Sequence, residues 1–224
     1  QQAKIEMLSI NEKLIAAKLE ALRSQMNPHF IFNCINSIDN LIQNNEKEKA
    51  TLYLAKFARL IRSVLETSKS DVIPCWQDME TLKLYVELEA FRWDQQFRYE
   101  INMADNIING DYKVPPLLIQ PFVENAIHHG LLNKIDSDKK LTIDITAGDN
   151  YIYYCITDNG VGRAKAGVYK ELNKSSHQSM GMQITIDRIN LFNQNKNGFV
   201  KITDIVNALN EPAGTKVEVK LIIN

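Results

Sequence analysis

Long hydrophobic runs and an excess of charge of either sign are missing from the sequence. No stretch of about 18 apolar residues occurs, the length that a membrane-spanning helix requires, and no signal-peptide pattern opens the chain. The 224 residues include 26 Lys and Arg and 27 Asp and Glu, which give a net charge of −1. Because the basic residues are scattered, neither nucleic acid nor an anionic membrane surface is expected as a partner.

Cysteine is also scarce. The three cysteines, Cys34, Cys75 and Cys155, lie far apart and form no C-x-x-C pair, so a zinc site or a redox dithiol has little support. We expect three reduced, partly buried thiols in a reducing compartment.

The first 26 residues contain no Pro or Gly and are predicted to form one helix. Apolar side chains recur at alternating three- and four-residue spacing, with Glu12 at the one missing step: Ile5, Leu8, Ile15, Leu19 and Leu22. This heptad pattern is typical of a helix that pairs with a second copy of itself; the alternative is an amphipathic helix packed within its own chain. Because the sequence starts inside this helix without Met, we expect a longer protein whose other part carries membrane segments.

A helical hairpin is predicted next. Pro28 interrupts the helical pattern, which resumes over residues 29–42 and is followed by a polar turn at 43–47. Residues 48–67 form a second helix with a broad apolar face. With the first helix, this hairpin predicts half of a dimeric four-helix bundle, and residues 68–75 are a boundary.

The rest of the sequence mixes helix and strand patterns. Helices are predicted at 77–93, 115–128 and 181–193, and strands at 99–103, 141–147, 151–157, 199–206 and 215–223. A turn containing Pro212 and Gly214 separates the last two strands. The pattern predicts an α+β chain in which several strands form one sheet with helices on one face.

Glu124 and Asn125 are the first candidate site residues in this half. The uncharged side-chain oxygen of Asn125 can complete an Mg²⁺ shell whose other ligands are phosphates and water. Glu124 can hold a water or act as a base. Taken alone, the pair equally fits a solvated helix face.

Asp158 follows a predicted strand and precedes Gly160 and Gly162. A carboxylate at a strand end can accept a hydrogen bond from the amine of adenine, and two glycines allow close approach of a ring. A plain turn at the end of a strand is the alternative interpretation.

Two later glycines complete the set. Gly181 directly precedes a predicted helix, where backbone N–H groups can face phosphate oxygens, and Gly214-Thr215 opens the last strand near the expected base. The polar stretch 163–179 suits a mobile lid over the nucleotide. Each feature alone also fits an ordinary helix start or turn.

Taken in order, these four pieces resemble the Bergerat ATP-binding fold shared by histidine kinases, type II topoisomerases and MutL. The resemblance covers residues 76–224. It implies a GHKL-type α/β sandwich that binds ATP with Mg²⁺.

The first half identifies the branch of that superfamily. QMNPHFIFN at 25–33 resembles the phosphoacceptor motif of LytS-type sensor histidine kinases, and LYVELEAFRW at 84–93 and VPPLLIQPFVENAIHHG at 114–130 resemble its companion motifs. The resemblance implies a homodimer that signals to a response-regulator receiver domain. It makes His29 the phosphorylated residue, Asn125 the Mg²⁺ ligand and Asp158 the adenine anchor. Gly160, Gly162, Gly181 and Thr215 would also bind nucleotide, and one of the adjacent His128 and His129, taken as His129, would lie near the phosphates.

The chemistry of His29 agrees with this role. Phosphoryl transfer needs a nucleophile placed in line with the γ-phosphate, and a neutral imidazole is available near neutral pH because its pKa is about 6.5. Asn33 lies four residues on, where it can orient the ring.

Two departures from the family pattern bear on activity. Phe30 replaces the acidic residue that follows the phosphoacceptor in more familiar histidine kinases, which leaves Glu124 as the candidate base. Ser179 replaces the first glycine of the lid-end motif, so weaker phosphate binding and low activity are expected.

The sequence thus predicts the cytoplasmic kinase core of a bacterial inner-membrane sensor. Residues 1–24 are assigned to a coiled-coil signalling helix, 25–72 to dimerisation and phosphotransfer, and 73–224 to ATP binding. The alternatives are an ATPase that drives conformational cycling and a nucleotide-binding signalling scaffold with weak or no kinase activity.

Overall fold

The computed structural model describes residues 28–163, 177–194 and 196–223. The predicted heptad helix, with Leu19 and Leu22, and most of the predicted lid lie outside these residues. The chain divides between Ser70 and Asp71 into two compact units. No helix of the described part is long and apolar enough to cross a membrane.

The first unit contains the predicted hairpin. Helix α1 spans Pro28–Gln43 and helix α2 spans Lys47–Thr67, joined by a tight turn in which Asn45 has a φ of 60°. The two helices pack through buried side chains, among them Cys34, Tyr53 and Leu60, and the Tyr53 hydroxyl donates a hydrogen bond to Cys34 Sγ at 3.3 Å. The two helices and their turn are therefore as predicted.

The second unit is built on a five-stranded mixed sheet. Its strands are β2 (Arg98–Met103), β4 (Lys140–Gly148), β5 (Tyr151–Asp158), β6 (Phe199–Val206) and β7 (Pro212–Ile222). The strand order is β2-β4-β5-β7-β6, in which β2 and β4 are parallel and the other neighbours are antiparallel. A separate two-stranded sheet pairs β1 (Ile73–Pro74) with β3 (Lys113–Val114).

The helices of this unit are α3 (Cys75–Arg92), α4 (Asp105–Ile108), α5 (Gln120–Asn125) and α6 (His177–Asn193), and a π-helix (Ala126–Leu131) continues α5. Helix α6 and the π-helix pack on the sheet. Burial alternates along β5, where Ile152, Tyr154 and Ile156 form part of the core and Asp158 is the last buried residue. The α+β class and the helix-covered sheet are confirmed.

The helix predicted from Pro115 begins only at Gln120, so the prediction for residues 115–119 was wrong. Leu117 has a φ of 57°, which an α-helix does not allow, and its N–H donates to the buried Asp78 carboxylate at 2.7 Å. A long-range hydrogen bond therefore shapes the segment that leads into α5.

Two other predicted boundaries also differ. Helix α6 begins at His177, so Gly181 lies one turn inside the helix instead of directly before it. Strand β7 begins at Pro212, so Pro212 and Gly214 belong to the strand, where pairing with β6 is irregular at Ile205 and Val206. Strand β5 pairs with β7 only as far as Thr215, so Pro212 and Gly214 have β6 alone as a neighbouring strand, and Pro and Gly are accepted at such irregular positions.

Candidate nucleotide site

Asp158 ends β5 as a carboxylate buried on the apolar face of the sheet. Its side chain is 3% exposed, and Oδ1 accepts the N–H of Gly160 at 2.9 Å. Burial raises the pKa of Asp158 to about 6, while hydrogen bonds from the backbone of Gly160 and Thr215 act in the opposite direction. A buried carboxylate of this kind is suited to a specific hydrogen bond with a ligand, because it is an acceptor that only a group of matching shape and polarity can reach.

Glycines surround this carboxylate. A Cβ on Gly130 would lie 2.7 Å from Asp158 Oδ1, and a Cβ on Gly160 would collide with the backbone of Gly130. The Val161 N–H also donates to the Gly130 carbonyl at 3.2 Å. The end of the π-helix can therefore reach the end of β5 only because neither position carries a side chain.

Gly130 is a residue that the sequence analysis missed. Its signal was present, because it ends the run ENAIHHG at the close of a predicted helix. A glycine after a helix ordinarily indicates a C-cap, and the contact with Asp158 becomes visible only when residues 28 positions apart are brought together (158 − 130 = 28).

Thr215 and Gly162 lie in the same neighbourhood. Thr215 is the partner of Asp158 in the antiparallel ladder between β5 and β7, and Gly162 has a φ of 75° and packs against Pro212. The structure thus brings Asp158, Gly160, Gly162 and Thr215 together. For Gly181, the structure gives only its place in the backbone of α6.

Asn125 and Glu124 are the last two residues of α5 and both are half-buried. The Asn125 amide nitrogen donates to the Pro121 carbonyl at 2.8 Å. That bond uses one N–H of the amide and leaves the side-chain carbonyl oxygen, the atom suited to a hard cation such as Mg²⁺. The donor set at this position therefore fits the predicted metal role.

The two neighbouring histidines lie in the π-helix. His128 Nε2 lies 3.2 Å from Glu89 Oε2 of α3, and the carbonyls of both histidines accept hydrogen bonds from the Asn133 amide. His128 is therefore held by a residue of α3, and the assignment of a phosphate contact to His129 stays a prediction. π-Helical turns are frequent at functional sites.

His29 lies in the first unit, on the first turn of α1, and is exposed. The amide nitrogen of Asn33 lies 3.2 Å from His29 Nδ1, so the predicted neighbour of the ring is in place. Phe30 is buried in the hairpin. The position that carries an acid in more familiar histidine kinases is therefore part of the hydrophobic core here.

The pH dependence of stability is a test of the buried state of Asp158. Its folded pKa of about 6 lies above the usual value of about 3.9, so the folded chain binds this proton more tightly than the unfolded chain. The resulting stabilisation is fully present below about pH 4 and is lost as the pH rises through about 6.

We therefore expect Asp158→Asn to stabilise the nucleotide-free chain relative to wild type at about pH 7.5, by on the order of 2 kcal/mol, and to do so much less at about pH 4.5. Urea unfolding of both proteins at the two pH values measures this difference. A difference that does not change with pH would show that Asp158 is ionised without penalty in the folded chain.

The proteins that this chain is similar to are histidine kinases. The family model for histidine kinase matches residues 17–97. The sensor protein LytS of Oceanobacillus iheyensis is 34% identical over 158 residues, which are 70% of this chain and 26% of that protein. The sensor protein LytS of Bacillus subtilis is 31% identical over 179 residues, 80% of this chain and 29% of that protein. The chain thus spans less than a third of the length of these relatives.

Among solved structures, the mycobacterial sensor histidine kinase MprB matches with a TM-score of 0.45 and 13% identity, over 67% of this chain and 95% of that chain.

Proposed function

We propose, from the premise that this chain is a relative of the LytS sensor histidine kinases, that it is the kinase core of a two-component sensor. In this proposal residues 71–224 bind ATP with Mg²⁺, and the γ-phosphoryl group is transferred to His29. The proposal is carried by the burial of the Asp158 carboxylate at the end of β5, where glycines pack closely around it.

Different residues of the second unit are proposed to bind different parts of ATP. Asp158 accepts the adenine amine, Gly130 and Gly160 permit the close packing beside its carboxylate, and Gly162 is a further contact. Asn125 provides an oxygen for Mg²⁺, and His129, Gly181 and Thr215 are further contacts. The bound metal would neutralise charge on the phosphates.

His29 acts as the nucleophile. Its exposure permits access to a phosphoryl donor, and Asn33 at 3.2 Å restricts the orientation of the ring. The lone pair of one ring nitrogen forms the N–P bond as the bond from the γ-phosphorus to the bridging oxygen breaks, and ADP leaves with that electron pair. Glu124 is the residue proposed to take up a proton or to hold a water during this step.

Nucleotide selectivity is a direct consequence of an acceptor at Asp158. Adenine presents an amine to it, whereas guanine presents a carbonyl, which would place two acceptors against each other at a cost of about 1–3 kcal/mol or more. We therefore expect ATP to bind at least about tenfold more tightly than GTP, because tenfold corresponds to 1.4 kcal/mol.

Asp158→Ala is expected to weaken ATP binding and to reduce the preference over GTP together. Titration calorimetry with both nucleotides measures this, and Asp149→Ala, an exposed residue in the turn before β5, is the matched control. If the Asp158 variant binds both nucleotides as wild type does, Asp158 is only a turn residue.

A second candidate function is a nucleotide-binding signalling scaffold without kinase activity. The burial of Phe30 favours it, since no acidic side chain follows His29 to assist the transfer. This candidate predicts ATP binding by wild type without acid-labile phosphate on the protein.

A homodimer, a response-regulator partner and a membrane anchor belong to the same proposal. The hairpin exposes apolar side chains that a four-helix bundle would cover: Phe32, Ile35, Ile42, Leu52, Leu54 and Leu65. The proposed location is the cytoplasmic side of the bacterial inner membrane, with the receiver domain of a response regulator as the recipient of the phosphoryl group.

Dimerisation is tested by introducing a charged residue into this apolar surface of the hairpin. Because burial of an apolar side chain contributes about 1.5–3 kcal/mol, Leu54→Glu should shift the chain toward monomer, whereas Lys47→Glu, at the start of α2, should not. Sedimentation velocity at micromolar concentration measures both. A wild-type monomer would contradict the dimer.

A further inference from the structure

Helix α3 contains two buried carboxylates for which the proposed chemistry has no use. Asp78 is 3% exposed and Glu89 is fully buried. Acidic residues are rarely buried to this extent unless they are paired. The partners of each therefore indicate what it does.

Asp78 binds the segment that leads into α5. Its Oδ1 accepts the Leu117 N–H at 2.7 Å and holds Leu117 in a left-handed conformation. Arg188 of α6 donates to the neighbouring Pro116 carbonyl at 3.4 Å, and its charge favours the ionised form of Asp78, although burial is the larger effect and raises the pKa of Asp78 to about 7. The entrance to α5 is therefore fixed from two helices.

Glu89 binds the π-helix that follows α5. Its Oε2 lies 2.7 Å from Arg92 Nη2 and 3.2 Å from His128 Nε2. Its other oxygen is buried with no hydrogen-bond partner among the described residues. Since a buried ion pair that leaves one oxygen unsatisfied is poor support for stability, its contact with His128 is better explained by a role in orientation.

The two contacts have matching spacing. Asp78 and Glu89 are 11 residues apart on α3 (89 − 78 = 11), and their targets Leu117 and His128 are also 11 apart (128 − 117 = 11). Eleven residues are about three helical turns. The two acidic side chains of α3 therefore contact the residues on either side of Asn125, one before α5 and one in the π-helix.

We propose that Asp78 and Glu89 are positioning residues that hold Asn125 and Gly130 in register with Asp158. Asn125 lies between the two contacts, and Gly130 lies two residues beyond His128 and packs on the Asp158 carboxylate. In this proposal the two acidic residues act through Leu117 and His128 and make no contact with the nucleotide themselves. The inference rests on the proposed function, because it concerns the same nucleotide site.

The expected consequence is a loss of nucleotide affinity that exceeds any loss of folding. Asp78→Ala removes the acceptor for Leu117 and should weaken Mg·ADP binding by about tenfold, the equivalent of 1.4 kcal/mol. Asp78→Asn retains a carbonyl acceptor and should restore the affinity to within about threefold of wild type. Glu89→Ala removes the contact with His128 and should weaken binding at least about fivefold.

Titration calorimetry with Mg·ADP on the full chain, at a temperature where circular dichroism shows each variant folded, is the test. Glu80→Gln, an exposed residue of the same helix, is the control and should bind as wild type does. If Asp78→Ala does not fold, Glu89→Ala, which removes the other contact, is the deciding variant.

The outcomes separate the inference from the function. If wild type binds Mg·ADP and the Asp78 and Glu89 variants bind it equally well, the inference is overturned and the proposed function stands. The inference is also overturned if Asp78→Ala has a lower melting temperature but unchanged affinity for Mg·ADP, because the role of Asp78 would then be confined to stability. Wild type that does not bind Mg·ADP would remove the proposed function and the inference together.

Discussion

His29→Gln is expected to abolish incorporation of phosphate from ATP into the chain. The imidazole ring nitrogen is the proposed nucleophile, and a Gln side chain offers only an amide, which does not form a stable bond to phosphorus under these conditions. Because His29 lies in a different unit from the residues around Asp158, ATP affinity should remain within about threefold of wild type, a difference below 1 kcal/mol.

The comparison is made with γ-labelled ATP and Mg²⁺, followed by gel autoradiography. Asn40→Gln, an exposed residue of the same helix, should retain the label and controls for general damage to α1. Undiminished label on the His29 variant would show that another residue accepts the phosphoryl group.

Asn125→Ala is the second change with a large expected effect. It removes the oxygen proposed to bind Mg²⁺, and a metal held there would stabilise the charge that develops during transfer. We expect the Mg²⁺-dependent rate to fall by well over about tenfold, while the loss of the Asn125 bond to Pro121 costs only about 0.5–1.5 kcal/mol of stability.

The rate of labelling as a function of Mg²⁺ concentration measures the effect. Asn102→Ala, which removes an exposed amide on β2, is the matched control. If the Mg²⁺ requirement and the maximal rate of the Asn125 variant equal those of wild type, Asn125 is only a residue of the helix surface.

Local sequence pattern was sufficient for the hairpin and for the strands of the sheet. The run YIYYCIT alternates as β5 does, and the polar residues 43–47 mark the turn between α1 and α2. These features depend on periodicity and on turn chemistry, which neighbouring residues determine.

Features made by distant residues could not be predicted in this way. The start of α5 depends on a hydrogen bond between Leu117 and Asp78, which are 39 positions apart, and two prolines there had suggested a helix start. The contact between His128 and Glu89 likewise joins two separate helices. Motif order located Asp158 correctly at the end of β5, but its burial and the part played by Gly130 follow from tertiary packing.

Functional roles were predicted from resemblance more than from geometry. Asn125 and Glu124 alone fit any solvated helix end, and exposure of His29 is ordinary for a helix surface. The buried carboxylate of Asp158 among glycines is the feature that an ordinary turn does not explain, because an acid is rarely buried without a ligand or a partner.

The most direct measurement is the chemical nature of phosphate on the wild-type chain after incubation with γ-labelled ATP and Mg²⁺. We predict a label that survives alkali, is lost in acid and maps to the peptide that contains His29. A chain that binds ATP but remains unlabelled, or whose label is stable in acid, would contradict a histidine kinase.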